Sequence, residues 1–521
     1  MQKINQILAL LAGTIVVLAV AGPGGEAFAA DPAFEVSAGE RQLFLDDVSI
    51  AKIENLQRTM HQPDKKGAVI RPDVSFGIGA VQIRMAPIWN PDKQVWQIWD
   101  CASDPNDLHA KGIGVTGHYQ SIDGLHWTKP NMGQIEYRGS RDNNFVSVMI
   151  DGRPYRIDYV VYDPTDPDPY RRYKGWVALL KPGYKPFKQP VVSDGIRWKV
   201  LDVPAIPSDV HDGNLSFDLK NHLFIGGLEM MGNYGRCWAV TTSKDFENWS
   251  KPELVFQTDD LDQKLARQAI GAHLADPTLQ QPFYNDPDTW KVDVYNMGIF
   301  RYESFYIGIP ALFYNTGPIP KASTDGFFAL QLACSRDLKN WKRLGDRGFF
   351  LGPSRLDSGA YDRGTLLSPS NAVVRNDELW FYYYGSKYRA SSDYARNSGS
   401  VRDPVSKERL LVDVGAICLA VLRRDGFISL DADKQVGEIQ TKTFKLSGTK
   451  LFVNVDAPKG ELRVEMLDGT GKILAVSKPM QGDLLRGEVK WQKGNIADLK
   501  GNSASLRFTL RNGQFYSYWL E

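Results

Sequence analysis

The stretch "SIDGLHW", Ser121–Trp127, decides how this chain is read. Taken alone, its Asp, His and Trp are residue types that serve well in a sugar site. Three further copies change the reading: "SDGIRW" at Ser193–Trp198, "SKDFENW" at Ser243–Trp249 and "SRDLKNW" at Ser335–Trp341. The Asp precedes the Trp by four residues every time, as Asp123 and Trp127, Asp194 and Trp198, Asp245 and Trp249, Asp337 and Trp341. A fifth, degenerate copy, "RRDGFISL", keeps Asp425-Gly426 and loses the Trp. A turn repeated at fixed spacing is scaffold. Asp-Gly supplies the positive-φ geometry that matches strand twist, and Ser or Asp side chains bond nearby backbone N–H groups. Strand-like runs such as "CWAVTTS" and "FALQLACS" precede the turns, and the Trp opens the returning strand.

One such hairpin per sheet, repeated around an axis, is the signature of a β-propeller blade. The four tryptophans stand 71, 51 and 92 residues apart, so one compact blade sits among blades with long insertions. Five copies between about Leu43 and Asp431 predict five blades, because seven would leave too little chain for each. "RQLFLDDVSIAKI", ahead of the first blade, is expected to close the ring against the last one. After "QVGEIQTKTF" the pattern becomes short alternating strands, which predicts a β-sandwich. The predicted fold is therefore all-β, a five-bladed β-propeller over residues 31–435 followed by a C-terminal β-sandwich over 436–521. One short helix is expected at "DDLDQKLARQA".

Bulk composition sets the outer bounds. The 521 residues are 43% hydrophobic and 24% charged with a formal net charge of +1, ordinary for a globular chain. Near-neutral charge gives no electrostatic case for nucleic acid or an anionic membrane. The 13 Trp, 22 Tyr and 24 Phe suit both packing in a β-rich protein and stacking against pyranose faces. Lys3, the apolar run Ile7–Ala21 and the small residues at Ala27–Ala29 have the form of a signal peptide over residues 1–30. That run is shorter than the roughly 20 residues of a membrane span. Export to the periplasm or beyond the cell is the expectation, with no span in the mature chain. Cys101, Cys237, Cys334 and Cys418 each sit in apolar strand-like runs and read as buried free thiols.

A propeller with S-x-D-G-x-x-W hairpins and a trailing β-sandwich resembles the glycoside hydrolases of the invertase and arabinanase type, families 32 and 43. It also resembles a bacterial group that opens on "LFLDDVSI…TMHQP". The likeness covers residues 41–432 in pattern, and "FLDD" and "DPTDPDPYRRYKG" in motif. The invertase "NDPNG" signature is missing from the expected first-blade position, and "NDPD" at Asn285–Asp288 lies in the fourth blade. The resemblance implies a glycosidase without implying which sugar.

In a propeller the leading ends of the innermost strands open on the ligand-binding face. That rule selects about one carboxylate per blade: Asp73, Asp158, Asp212, Glu303 and Asp362. Glycosidic cleavage needs a carboxylic acid to protonate the leaving oxygen and a carboxylate to activate water or attack the anomeric carbon. Crowded, partly desolvated carboxylates keep one member protonated. The expected assignment is Glu303 as general acid and Asp212 as base or nucleophile, with Asp73 completing the catalytic set. Arg301, His211, Asn214, Asp158, Asp362 and Arg363 are expected to bind substrate. Arg301 and Glu303 share a strand face and also read as an ordinary ion pair. Asp73 also reads as a Pro-Asp turn, and Asp212 as a turn cap. Asp46 and Asp47 read as structural strand-end residues, and His273 and Asp276 as part of a folded insertion. No cofactor is implied; an axial calcium would fit the carboxylates, although no EF-type spacing exists. Two other classes fit the sequence, a non-catalytic carbohydrate-binding propeller and a polysaccharide lyase.

Overall fold

The computed structural model describes residues 34–103, 115–179, 186–209, 212–400 and 402–521. The expected signal peptide and His211 lie outside the described residues. The structure is all-β and built of curled antiparallel sheets, with two α-helices among the described residues, α1 (Asp260–Ala275) and α2 (Ser391–Ser398). α1 covers the predicted helical segment and starts on a capping box between Asp259 and Asp262. No helix among the described residues is long and apolar enough to cross a membrane. All four cysteines are buried and free.

Between Asp64 and Arg423 the chain repeats one simple unit, a meander whose strands pair largely in sequence order. Tyr159–Tyr162, Tyr173–Leu179, Phe187–Ser193 and Trp198–Val200 form one such sheet. Gly213–Asp218, Leu223–Gly232, Gly235–Ser243 and Glu253–Phe256 form the next. A third is led by the long hairpin Lys291–Tyr302 and Phe305–Pro318. The first and last meanders merge into one ten-stranded sheet through a single parallel pairing, Gly415 to Ala80. Within it, Asp64–Ile70 from the start of the chain pairs antiparallel with Gly415–Arg423 near the end of the repeats. An early strand thus completes the last meander.

The repeated turns link these sheets in a circle. In "SIDGLHW", Gly124 N–H donates to Ser121 Oγ (2.8 Å), and Leu125 and His126 N–H donate to Asp123 Oδ1 (both 2.8 Å). Trp127 Nε1 donates back to the Gly124 carbonyl at 3.0 Å. The same closure recurs from Trp249 to Phe246 and from Trp341 to Leu338, both at 3.1 Å. Each Trp then leans on the preceding sheet: Trp198 on Trp99, Trp249 on Trp176 and Trp341 on Phe256. Trp127 of the first meander leans on Tyr382 of the last, and Phe427 of the degenerate copy leans on Tyr302 of the sheet before it. The turn differs from expectation in one respect. The residue after the Asp takes positive φ at Gly124 (72°) and Gly195 (94°), but Phe246 (67°) and Leu338 (66°) take it without glycine. Both are buried in apolar clusters, so packing offsets the backbone strain.

Where inner strands converge, glycine is required for space. A Cβ on Gly298, in the strand Lys291–Tyr302, would come within 1.8 Å of the Pro369 carbonyl oxygen of the neighbouring meander. Gly298→Ala forces two backbones apart and is expected to destabilise by about 1–3 kcal/mol or more, read as a lower urea midpoint at unchanged slope.

The C-terminal sheet centres on the 17-residue strand Leu451–Leu467. Its first half pairs with Gly513–Leu520 and Met480–Glu488, its second half with Ser503–Arg511 and Ile473–Ser477. Val453, Val455, Val464, Met466 and Phe508 fill the core beneath it. The segment expected to close the ring joins this sheet instead. Gln42–Leu43 pairs with Ser517 and Tyr518, Ile50–Glu54 with Gly437–Thr441, and Gln57–Met60 with Ile428–Ala432. Side-chain alternation explains the difference: Phe44 enters the C-terminal core, while Leu43 and Leu45 enter the core of the neighbouring meanders. The segment is a seam between two cores. Asp46 and Asp47 are structural there, paired with Arg336 and Arg58 respectively. His273 stacks on Phe327 and Asp276 ends α1, which makes both part of the folded insertion.

The degenerate fifth turn locks the seam. Asp425, at φ 63°, is fully buried and accepts from Arg41 Nη1 (2.6 Å), Tyr302 Oη (2.5 Å) and Ser517 Oγ (2.6 Å). One carboxylate joins the N-terminal segment, a meander strand and the C-terminal sheet.

Candidate active site

A cavity of about 340 Å³ opens among the inner strands. Asp158 and Asp212 reach it from the leading ends of Tyr159–Tyr162 and Gly213–Asp218, where the strand rule placed them. Asp212 is held on every side. Arg84 grips it through Nε (3.1 Å to both oxygens) and Nη2 (3.0 Å to Oδ2). Gly213 N–H (2.8 Å) and Asn296 Nδ2 (3.3 Å) donate to Oδ1. Burial works against the Arg84 charge, but Asp212 more than offsets it and raises the pKa of the guanidinium. Asn214 supports the pair by donating to the Arg84 carbonyl at 3.2 Å. Asp158 is paired with Arg156 and accepts the Ala178 N–H at 3.2 Å.

Glu229 is the carboxyl group that strand-start reasoning missed. It lies on the second strand of its meander, where the pairing of Gly213 with Leu228 sets it beside Asp212. Its Oε2 accepts the Asp212 N–H at 3.3 Å, and the side chain is 2% exposed. Burial first, then the adjacent Asp212 charge, pushes its carboxyl up to about 8. Arg236 lies 2.7 Å from Glu229 Oε1 but also binds Asp293 Oδ2 at 3.2 Å, so its charge is divided and does not offset burial. The sequence did carry a cue. A lone Glu inside the apolar strand "LFIGGLEMMG" is seldom buried without a purpose. Tyr295 also lines the cavity, at a register shift between Val294 and Asn296, as a bulge turns a side chain out of the strand pattern. Lys188 is buried close by, and desolvation brings its ammonium down to about 8.

The remaining candidates lie elsewhere, and the expected pairing of Glu303 with Asp212 is not present. Glu303 sits at a hairpin tip, φ 54°, where its Oε2 accepts the Arg41 N–H at 2.9 Å. Arg301 pairs there with Glu40 at 3.3 Å. Both line a separate recess with Glu40 and Lys220. Asn296, which touches Asp212, and Glu303 are seven residues apart, or roughly 23 Å of extended strand. The strand-start cue mistook the far end of that strand for its leading end. Asp73 caps a short 3₁₀ turn at the Phe76 N–H and pairs with Lys129 at 2.7 Å; that hydrogen bond foremost lowers its carboxyl to about 2. It is a turn residue outside the cavity. Asp362 is buried against Lys65 (2.7 Å) and Tyr383 (2.8 Å), and Arg363 is paired with Glu408. Neither lines the cavity. Among the described residues no group of three or more His, Cys, Asp or Glu side chains is placed to hold a metal ion.

No protein-family model and no curated protein matches the chain. Solved structures similar to it include a Bombyx mori family 32 β-fructofuranosidase, at 9% identity and TM-score 0.42 over 88% of this chain and 93% of that one. A family 43 arabinoxylan arabinofuranohydrolase from Bacillus subtilis aligns at 11% identity and TM-score 0.37, over 87% and 98% of the two chains. An N-acetylgalactosamine deacetylase from F. plautii aligns at 14% identity and TM-score 0.40, over 72% and 97%. At this level of similarity no activity and no residue role passes from these proteins to this chain.

Proposed function

We propose that the meanders are the five blades of a β-propeller, with Gln42–Met60 and the chain from about residue 430 forming a β-sandwich, and that the protein is an exported glycoside hydrolase. The observation that carries the functional reading is the central cavity, where Glu229 is buried with a raised pKa beside the charge-compensated Asp212 and Asp158. Two carboxyl groups in unlike environments are the requirement for splitting an acetal bond. Glu229, protonated at neutral pH, donates its proton to the leaving glycosidic oxygen as the bond to the anomeric carbon breaks. Asp158 takes a proton from the water whose oxygen bonds that carbon. The second oxygen of Asp158 accepts only one backbone N–H among the described residues, which leaves it an open lone pair. Asp212, its lone pairs filled, orients Arg84 and holds the Glu229 proton in place by its charge. Signal-peptide cleavage near Ala29 or Ala30 would deliver the enzyme to the periplasm or the medium, where glycans are met.

The test is release of new reducing ends from a glycan panel by the purified mature chain. Asp158→Asn is expected to lower the rate by ~10²-fold or more while leaving the thermal melt within a few degrees. Wild-type rates in that variant would remove Asp158 from the mechanism. Binding without turnover across the whole panel would favour a non-catalytic lectin-like propeller.

A further inference from the structure

The cavity holds more positive than negative side chains. Arg84, Arg156, Arg236 and Arg389 face Asp158, Asp212 and Glu229. The first three arginines are committed, to Asp212, Asp158 and the Glu229–Asp293 pair respectively. Arg389 has no hydrogen bond or ion pair from its side chain among the described residues, and its Nε is buried without a partner. Its guanidinium lies over the Phe313 ring at 4.5 Å, with Tyr295 at 5.9 Å and Phe328 at 5.6 Å. Three aromatic rings hold it in place, and its donors have no partner among the described residues.

A second feature adjoins it. A recess of about 240 Å³ shares Gln82, Arg84, Tyr295 and Arg389 with the main cavity and ends on Ala390, Ser391 and Ser392. These residues are the start of α2, which carries no side-chain cap. First-turn N–H groups have no partner within a helix, and the positive end of its dipole favours an anion. Asp393, the acidic residue in this recess, is engaged by Ser323 (2.9 Å) and Arg396 (3.3 Å). A planar guanidinium with free donors matches a carboxylate or sulfate in a two-point contact.

We propose that the substrate is an anionic glycan, whose carboxylate or sulfate ester docks between Arg389 and the start of α2 next to the bond that is cut. This rests on the hydrolase reading for its chemistry but not for its binding. The ionic contact tells acidic sugars from neutral ones, since an uncharged hydroxymethyl group would leave the half-buried Arg389 without a counter-charge.

The experiment measures binding by calorimetry in the Glu229→Gln variant, which separates affinity from turnover. The probes are trigalacturonate, its carboxyl-reduced neutral counterpart and a κ-carrageenan tetrasaccharide, which carries sulfate esters and no uronate. At least one acidic probe is expected to bind ten-fold or more tighter than the neutral one and to weaken as salt rises. A uronate source is indicated if trigalacturonate wins, a sulfate ester if the tetrasaccharide does. Arg389→Gln is expected to abolish the preference and Arg389→Lys to restore part of it, both at wild-type melting temperature. Equal binding of acidic and neutral probes, or a preference that survives Arg389→Gln, overturns the inference even if the enzyme hydrolyses neutral glycans. An acidic probe that binds through Arg389 but is cleaved by wild type to an unsaturated, ultraviolet-absorbing product sustains the inference. That outcome would replace the hydrolase with a lyase.

Discussion

Glu229→Gln is expected to slow glycan hydrolysis by roughly 10²–10⁴-fold, the span that a positioned proton donor supplies. Glutamine keeps the size of the side chain and can still accept the Asp212 N–H, so KM should change far less than kcat. The pH dependence should change with it. With the Glu229 carboxyl raised to about 8, wild-type turnover should fall as pH rises through that value, and the variant should lose this alkaline limb. Stability carries the same signature. The folded pKa lies above the ordinary value of 4.5, so the protonated form stabilises the fold. That contribution is complete below about 4.5 and is lost as pH rises through about 8. Glutamine does not titrate, so the variant should gain thermal stability relative to wild type between those limits. A variant with wild-type kcat, or with the alkaline limb intact, would dismiss Glu229 as the acid.

Asp425→Asn should destabilise the protein by about 3–5 kcal/mol, the cost of leaving one member of a buried ion pair alone. Asparagine tolerates the positive φ of this position, so the loss reports the charge and not the backbone. Arg41, whose side chain is 5% exposed and lies over Trp519, would then be a buried cation facing a neutral amide. The double variant Asp425→Asn/Arg41→Met should recover much of the loss, because removing both charges also removes their desolvation. Equilibrium urea unfolding of the four proteins gives the coupling energy. Additive losses would mean that the pair does not join the seam.

These two residues also mark how far sequence alone could reach. Asp425 was legible as a degenerate copy of the repeated turn, yet its role was not, because its partners lie at residues 41, 302, 454 and 517. Glu229 needed the hairpin register: only the pairing of Gly213 with Leu228 brings it to Asp212. Asp158 and Asp212 were legible as cavity-lining residues because they depend on strand starts, which sequence patterns reveal. Glu303 satisfied the same cue and ended in the Arg41 seam, since a strand in a meander has two ends and local pattern does not say which one faces the cavity.

What the sequence determined by itself is the repeating scaffold. Asp-Gly turn chemistry, strand alternation and the regular Asp–Trp spacing are local, and a local rule repeated along the chain adds up to an all-β meander. The tertiary structure alone decided which carboxyl groups are buried, that the Arg389 side chain has no hydrogen bond or ion pair among the described residues, and which early strands cross to the C-terminal sheet. Those are outcomes of desolvation and charge pairing between residues far apart in the chain, and they exist only once the sheets have closed around the cavity.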